Sequence, residues 1–208
     1  MPKREKLLAE LSAEEDYGIF LAIQMDAVPE TLQLIIATAR YDAAAGGLRE
    51  RGQYVIRALG VVEHQVSVGM FARLQFVDEH PLLYQYNTPT VAVFFRGQPT
   101  NVYELVLDLE QAHVSTFGLW RDLPEYLNLS KPLVTLLNSG GDLLGQMPKP
   151  LAERMAKVLE HHGLEVKLGE AEFEAADEHG RSQLRKALMI DDSYVMALDF
   201  SVEELGRA

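Results

Sequence analysis

Within residues 50–97, most clearly from 65 to 76, apolar side chains recur at every second position, the period of strands with one face on a core and the other in water. Val66, Val68 and Met70 alternate with Gln65, Ser67 and Gly69, and Leu74 and Phe76 alternate with Arg73 and Gln75. Tyr54 to Val62 is rich in β-formers, with Arg57 its only charge. Upstream, Leu32, Leu34 and Ile36 alternate with Gln33, Ile35 and Ala37 in a segment ending near Asp42, which fits a strand or a helix. Ala45-Gly46-Gly47 then suits a turn. Val91 to Phe95 is unbroken apolar sequence between Pro89 and Gly97, read as a strand covered on both faces or lying at an oligomer interface. The expectation is an antiparallel meander of about five strands, in which 65–70 and 72–77 could form a hairpin.

Helical spacing flanks this region. Leu7, Leu8 and Leu11 form a narrow stripe in a helix expected over 3–16 and ended by Gly18. Asn101 with Glu104 resembles a capping box. It opens a helix whose face carries Val102, Leu105, Val106, Leu109 and His113. A short helix is expected over 121–128. From 133 to 168 the pattern reads as a βαβ unit: strand 133–137, loop 138–142, a helix with Leu151, Met155, Val158 and Leu159, then strand 164–168 after Gly163. Residues 170–178 carry five acids, Glu170, Glu172, Glu174, Asp177 and Glu178, and read as a solvated loop. Residues 184–200 fit a helix then a strand, or a hairpin turning at Asp191-Asp192-Ser193, and 201–204 a short final helix. The fold class is α+β: an antiparallel sheet of about five strands, helices on one face, and a small C-terminal βαβ element. With no flexible linker the chain reads as one domain, β-rich over about 18–97 and α/β over 98–208.

Hydrophobic residues make up 48% and charged residues 24% of the chain, enough apolar content for a packed core. The absence of cysteine excludes disulfide scaffolds, thiolate metal sites and cysteine nucleophiles. The start, MPKREKLLAELSAEED, lacks the apolar region of a secretory signal, and no apolar run is long enough to span a membrane, so the expectation is a cytoplasmic protein without membrane association. A net charge of −12, from 31 acidic and 19 basic residues, opposes nucleic acid and is read first as a source of solubility, with a basic protein partner as the alternative. The longest basic cluster is Arg181, Arg185 and Lys186.

Four groups of residues carry candidate chemistry. Glu63-His64 and Glu79-His80, with Asp78, would converge at the open end of the expected hairpin, where imidazoles and carboxylates suit a divalent metal. His113 faces inward on its helix and could be a general base or a third ligand beside His64 and His80. Tyr84 and Tyr86, two apart on a strand and so on one face, join Asn87, Trp120 and Arg121 as a set suited to a planar or anionic ligand or a protein contact. Ser139-Gly140-Gly141 could cradle a phosphate at a helix start, but Gly145 is followed by Gln146-Met147, so the nucleotide-loop pattern is incomplete.

With no complete catalytic motif, the leading expectation is a non-catalytic binding or assembly module without a cofactor, self-associating as a homodimer. One alternative is a metal-assisted enzyme, such as a hydrolase, holding a divalent ion with His64, His80 and His113 and using Glu63 or Glu79 as base. A second is a small-ligand carrier built on Tyr84, Tyr86, Trp120 and Arg121.

Overall fold

The computed structural model describes residues 2–25, 27–171 and 173–205. The chain forms two compact units, one from residues 1–79 and 184–208, the other from 80–183. The first begins with helix α1 (Lys3–Ala9) and strands β1 (Asp16–Met25), β2 (Thr31–Asp42), β3 (Gly47–Leu59), β4 (Glu63–Gln65), β5 (Met70–Phe71) and β6 (Leu74–Val77). The second holds α2 (Tyr84–Asn87), β7 (Thr90–Arg96), α3 (Val102–Phe117), α4 (Leu133–Leu137), β8 (Gly141–Pro148), α5 (Lys149–His161) and β9 (Glu165–Leu168). The chain then returns to the first unit with β10 (Lys186–Ile190), β11 (Ser193–Ala197) and β12 (Asp199–Leu205). The α+β class read from the sequence is the class observed.

The first unit contains two antiparallel sheets, ordered β12-β3-β2-β1-β5 and β4-β11-β10-β6. The even positions Leu32, Leu34 and Ile36 of β2, paired with Ala58, Ile56 and Tyr54 of β3, supply the inner face of the larger sheet. Leu188, Ile190 and Val195 from the smaller sheet join the same core. Residues 32–42 are therefore a strand. The expected helix over 3–16 stops at Ala9, because the chain turns to bury Glu10, whose carboxylate accepts a 2.5 Å hydrogen bond from the Thr38 hydroxyl. Gly18 ends no helix. It lies inside β1, where the Phe71 ring occupies the space a Cβ would need.

The expected hairpin of 65–70 with 72–77 does not form. β4 pairs with β11, β5 with β1 and β6 with β10, so each short β segment finds a different partner. Residues 184–200 take the hairpin alternative, turning at Asp191 with φ +46. Residues 201–204 belong to β12, not to a helix, since Ser201 and Glu203 face solvent while Phe200 and Val202 pair beside Ala58 and Ile56.

In the second unit β7 lies between β8 and β9, antiparallel to both. The unbroken 91–95 run is thus a central strand, with Val91, Val93 and Phe95 buried. β8 and β9 consequently run in the same direction, joined by α5, which makes a βαβ unit split by β7. Its first strand is β8 rather than 133–137: Leu133, Leu136 and Leu137 lie at i, i+3 and i+4 after Pro132 and form helix α4, with Leu136 and Leu137 buried. Residues 121–128 hold one 3₁₀ turn, Leu123–Tyr126. The core unites Phe95, Leu105, Leu109, Phe117, Leu144, Met155 and Leu159. Of the acidic stretch 170–178, Glu172 lies outside the described residues; Glu170, Glu174 and Glu178 carry no regular structure.

Candidate functional site

The histidines and carboxylates singled out in the sequence are spread over both units. Glu63 and His64 lie on β4, where the Tyr194 hydroxyl donates to Glu63 Oε1 at 2.6 Å. The row across the small sheet runs His64–Val195–Leu188–Phe76. β4 and β6 are thus the two edges, and Glu63 and Asp78 stand about 14 Å apart by three spacings of roughly 4.8 Å. Convergence depended on a hairpin that does not exist. His80 opens the second unit and accepts from the Leu82 N–H through Nδ1 at 3.3 Å, capping a 3₁₀ turn. Among the described residues, no three His, Asp or Glu side chains are grouped to hold a metal.

The aromatic set is partly assembled. Trp120 meets the His80 ring edge-on at 6.0 Å, and Tyr84 meets Phe117 at 6.2 Å. Tyr84 and Tyr86 lie on helix α2, not on a strand, so two residues of separation turns them to opposite sides. Ser139-Gly140-Gly141 leads from α4 into strand β8, so no helix N-terminus follows it. A Cβ on Gly145 would lie 1.9 Å from the Tyr126 carbonyl oxygen; this glycine permits a close backbone approach.

His113 is the informative member. It is 1% exposed on α3, beside Phe117 and Tyr126 with ring centroids at 5.5 and 5.9 Å. Neither ring nitrogen has a hydrogen-bond partner among the described residues. Burial pushes its pKa below the ordinary value, against the opposing pull of Glu110, Glu125 and Asp122. The imidazole is accordingly neutral at pH 7 and carries an unfilled donor and an unfilled acceptor. Buried polar groups are rarely left so. His113 lines a pocket of about 380 Å³ at the C-terminal end of α3, with Glu110, Leu119, Arg121, Asp122 and Glu125 among the other walls. Arg121, little exposed, sits 4.0 Å from Glu125. Three carboxylates against one guanidinium leave the pocket acidic.

An exposed apolar stripe leads to this pocket. Asn101 caps α3, its side-chain oxygen accepting from the Tyr103 and Glu104 N–H groups at 3.2 and 3.3 Å. Leu105, Leu109, His113 and Phe117 then point inward, which obliges Tyr103, Leu107, Glu110 and Val114, at i, i+4, i+7 and i+11, to point outward. Tyr103 and Leu107 are each 70% exposed, and Leu119, just past the helix, is 97% exposed. The spacing that marks the inward stripe in the sequence also contains this outward counterpart.

A larger cleft, about 600 Å³, lies in the first unit and gathers Arg40, Arg49 and Arg51. The β2–β3 register sets Arg40 opposite Arg49, and a bulge adds Arg51 to the same end. This basic cluster escapes a reading of linear sequence. Buried Asp16 absorbs most of it: Arg40 donates to both carboxylate oxygens at 2.7 and 3.2 Å, and Arg51 to one at 3.1 Å. The hydrogen bond from Arg40 is the main cause of Asp16's lowered pKa. With Glu10, Asp42 and Glu50 on its walls as well, the cleft's arginines are balanced by carboxylates. Comparison of the chain with protein-family models, curated proteins and solved structures finds no match.

Proposed function

We propose that the protein is a non-catalytic binding module whose docking face is the outer side of α3 together with the pocket beyond it. The observation that carries this reading is the coincidence of two features at one place. One is the exposed stripe Tyr103, Leu107, Val114 and Leu119, and the other is buried His113 with both ring nitrogens unfilled. Large apolar side chains exposed in a row are a recurrent mark of a docking face. A small-molecule carrier draws less support, because Tyr84 and Tyr86 lie on different sides of α2. A homodimer through residues 91–95 would have to use the outer face of β7, where Phe94 is exposed, since both edges of the strand are paired.

Selection from a displayed random-peptide library tests the reading. Enriched peptides should lose binding to Leu107→Asp and keep it for Leu59→Asp, an exposed apolar residue of the other unit. Retention of binding by Leu107→Asp would remove α3 as the docking face.

A further inference from the structure

We propose that the pocket at the end of α3 receives the cationic end of a lysine or arginine from a basic segment of a partner protein, whose apolar residues lie along Tyr103, Leu107 and Val114. This rests on the reading of α3 as a docking face and adds the chemistry of its occupant.

The charge distribution selects that occupant. Glu110 is exposed on α3 next to the stripe, and its carboxylate has no ion pair or hydrogen bond among the described residues. Asp122 and Glu125 face the same pocket, where Glu125 lies 4.0 Å from Arg121 and accepts from the Asp122 N–H at 3.3 Å. Beneath them His113 is neutral, with no hydrogen-bond partner for its ring nitrogens among the described residues, so it adds no positive charge that would repel a cation. A lysine ammonium or guanidinium at the rim meets unpaired carboxylate, and the stem of either side chain suits the apolar wall made by Val114, Leu119 and Leu123. A second copy of this chain fits poorly: face-to-face pairing would bring Glu104, Glu110, Asp122 and Glu125 of both copies together in a chain that already carries −12.

The test uses the full chain and three labelled peptides with leucines at helical spacing, the intervening residues being lysine, glutamine or glutamate. Fluorescence anisotropy is read at about 0.15 M salt, where charges beyond about 8 Å are largely screened. The lysine peptide should bind about tenfold more tightly than the glutamine peptide, and the glutamate peptide more weakly still. Glu110→Lys, and to a lesser degree Glu110→Gln, should abolish the preference. Glu14→Lys in the other unit, an identical change of net charge, should leave it intact. Equal binding of lysine and glutamine peptides, both lost in Leu107→Asp, would overturn the cation pocket while leaving the docking face standing. An equal effect of Glu14→Lys and Glu110→Lys would overturn it too, because overall charge would then explain the preference. If no peptide binds and Leu107→Asp changes the sedimentation coefficient, a second copy covers the face and both readings fall.

Discussion

His113 can be questioned directly, because a buried imidazole with no hydrogen bond among the described residues is a cost to the fold. Replacing it with leucine removes an unsatisfied polar group and keeps most of the volume, so we expect stability unchanged or raised by on the order of 1 kcal/mol in urea unfolding. A loss above about 2 kcal/mol would show that the ring makes a bond worth keeping. Its pH dependence has a definite sign. Burial lowers the pKa of both His113 and His80 below 6.5 in the folded chain, so the unfolded chain takes up these protons first. Their contribution is complete above about pH 6.5 and is lost as the pH falls from there toward the folded-state values. The slope of stability against pH just below 6.5 should therefore flatten in His113→Leu. Asp16 acts in a separate window: its lowered pKa gives stability that is present above 3.8 and lost below it. Gly18 offers a purely steric test. An added Cβ would lie 2.0 Å from the Phe71 ring, so Gly18→Ala should cost about 1–3 kcal/mol, and Phe71→Leu in that background should recover part of the loss.

At the scale of the element, α3 presents two faces whose energetics should differ sharply. Leu109→Ala should cost about 2–5 kcal/mol, since Leu109 is 0% exposed. Leu107→Ser should stay within about 0.5 kcal/mol, since Leu107 is 70% exposed. Similar losses for both would mean that the outer stripe is covered in the folded molecule. The same helix shows what could be read in advance. Its inward stripe and its Asn101 cap are local signals, as are the limits of α5 between Pro148 and Gly163, and they were legible without a structure. The region from 63 to 77 was not. Period two tells which face of a strand is apolar but not which strand it pairs with, and β4, β5 and β6 each pair with a strand distant in sequence. The Leu133–Leu137 run has no charged residue to reveal its period, so helix and strand look alike there. The pocket was legible only in part. His113 and Arg121 could be named, whereas the return of Asp122 and Glu125 toward Glu110 depends on the turn after Gly118, with φ +61.

For the whole molecule, the division into units has a consequence for folding. Residues 80–183 are contiguous and own a closed core, whereas the first unit is completed only by 184–208. A fragment of 80–183 should therefore fold with cooperative unfolding and retain the α3 face, while 1–79 alone lacks β10, β11 and β12 and should not. A fragment 80–183 that is unfolded by circular dichroism would show that its core needs the rest of the chain. Docking of a basic segment on α3 and its pocket can be mapped residue by residue by heteronuclear NMR of the full chain titrated with the lysine–leucine peptide. Amide shifts should concentrate at 103–114 and 118–125. Shifts that follow acidic residues across both units, or that gather at Arg40, Arg49 and Arg51, would contradict it.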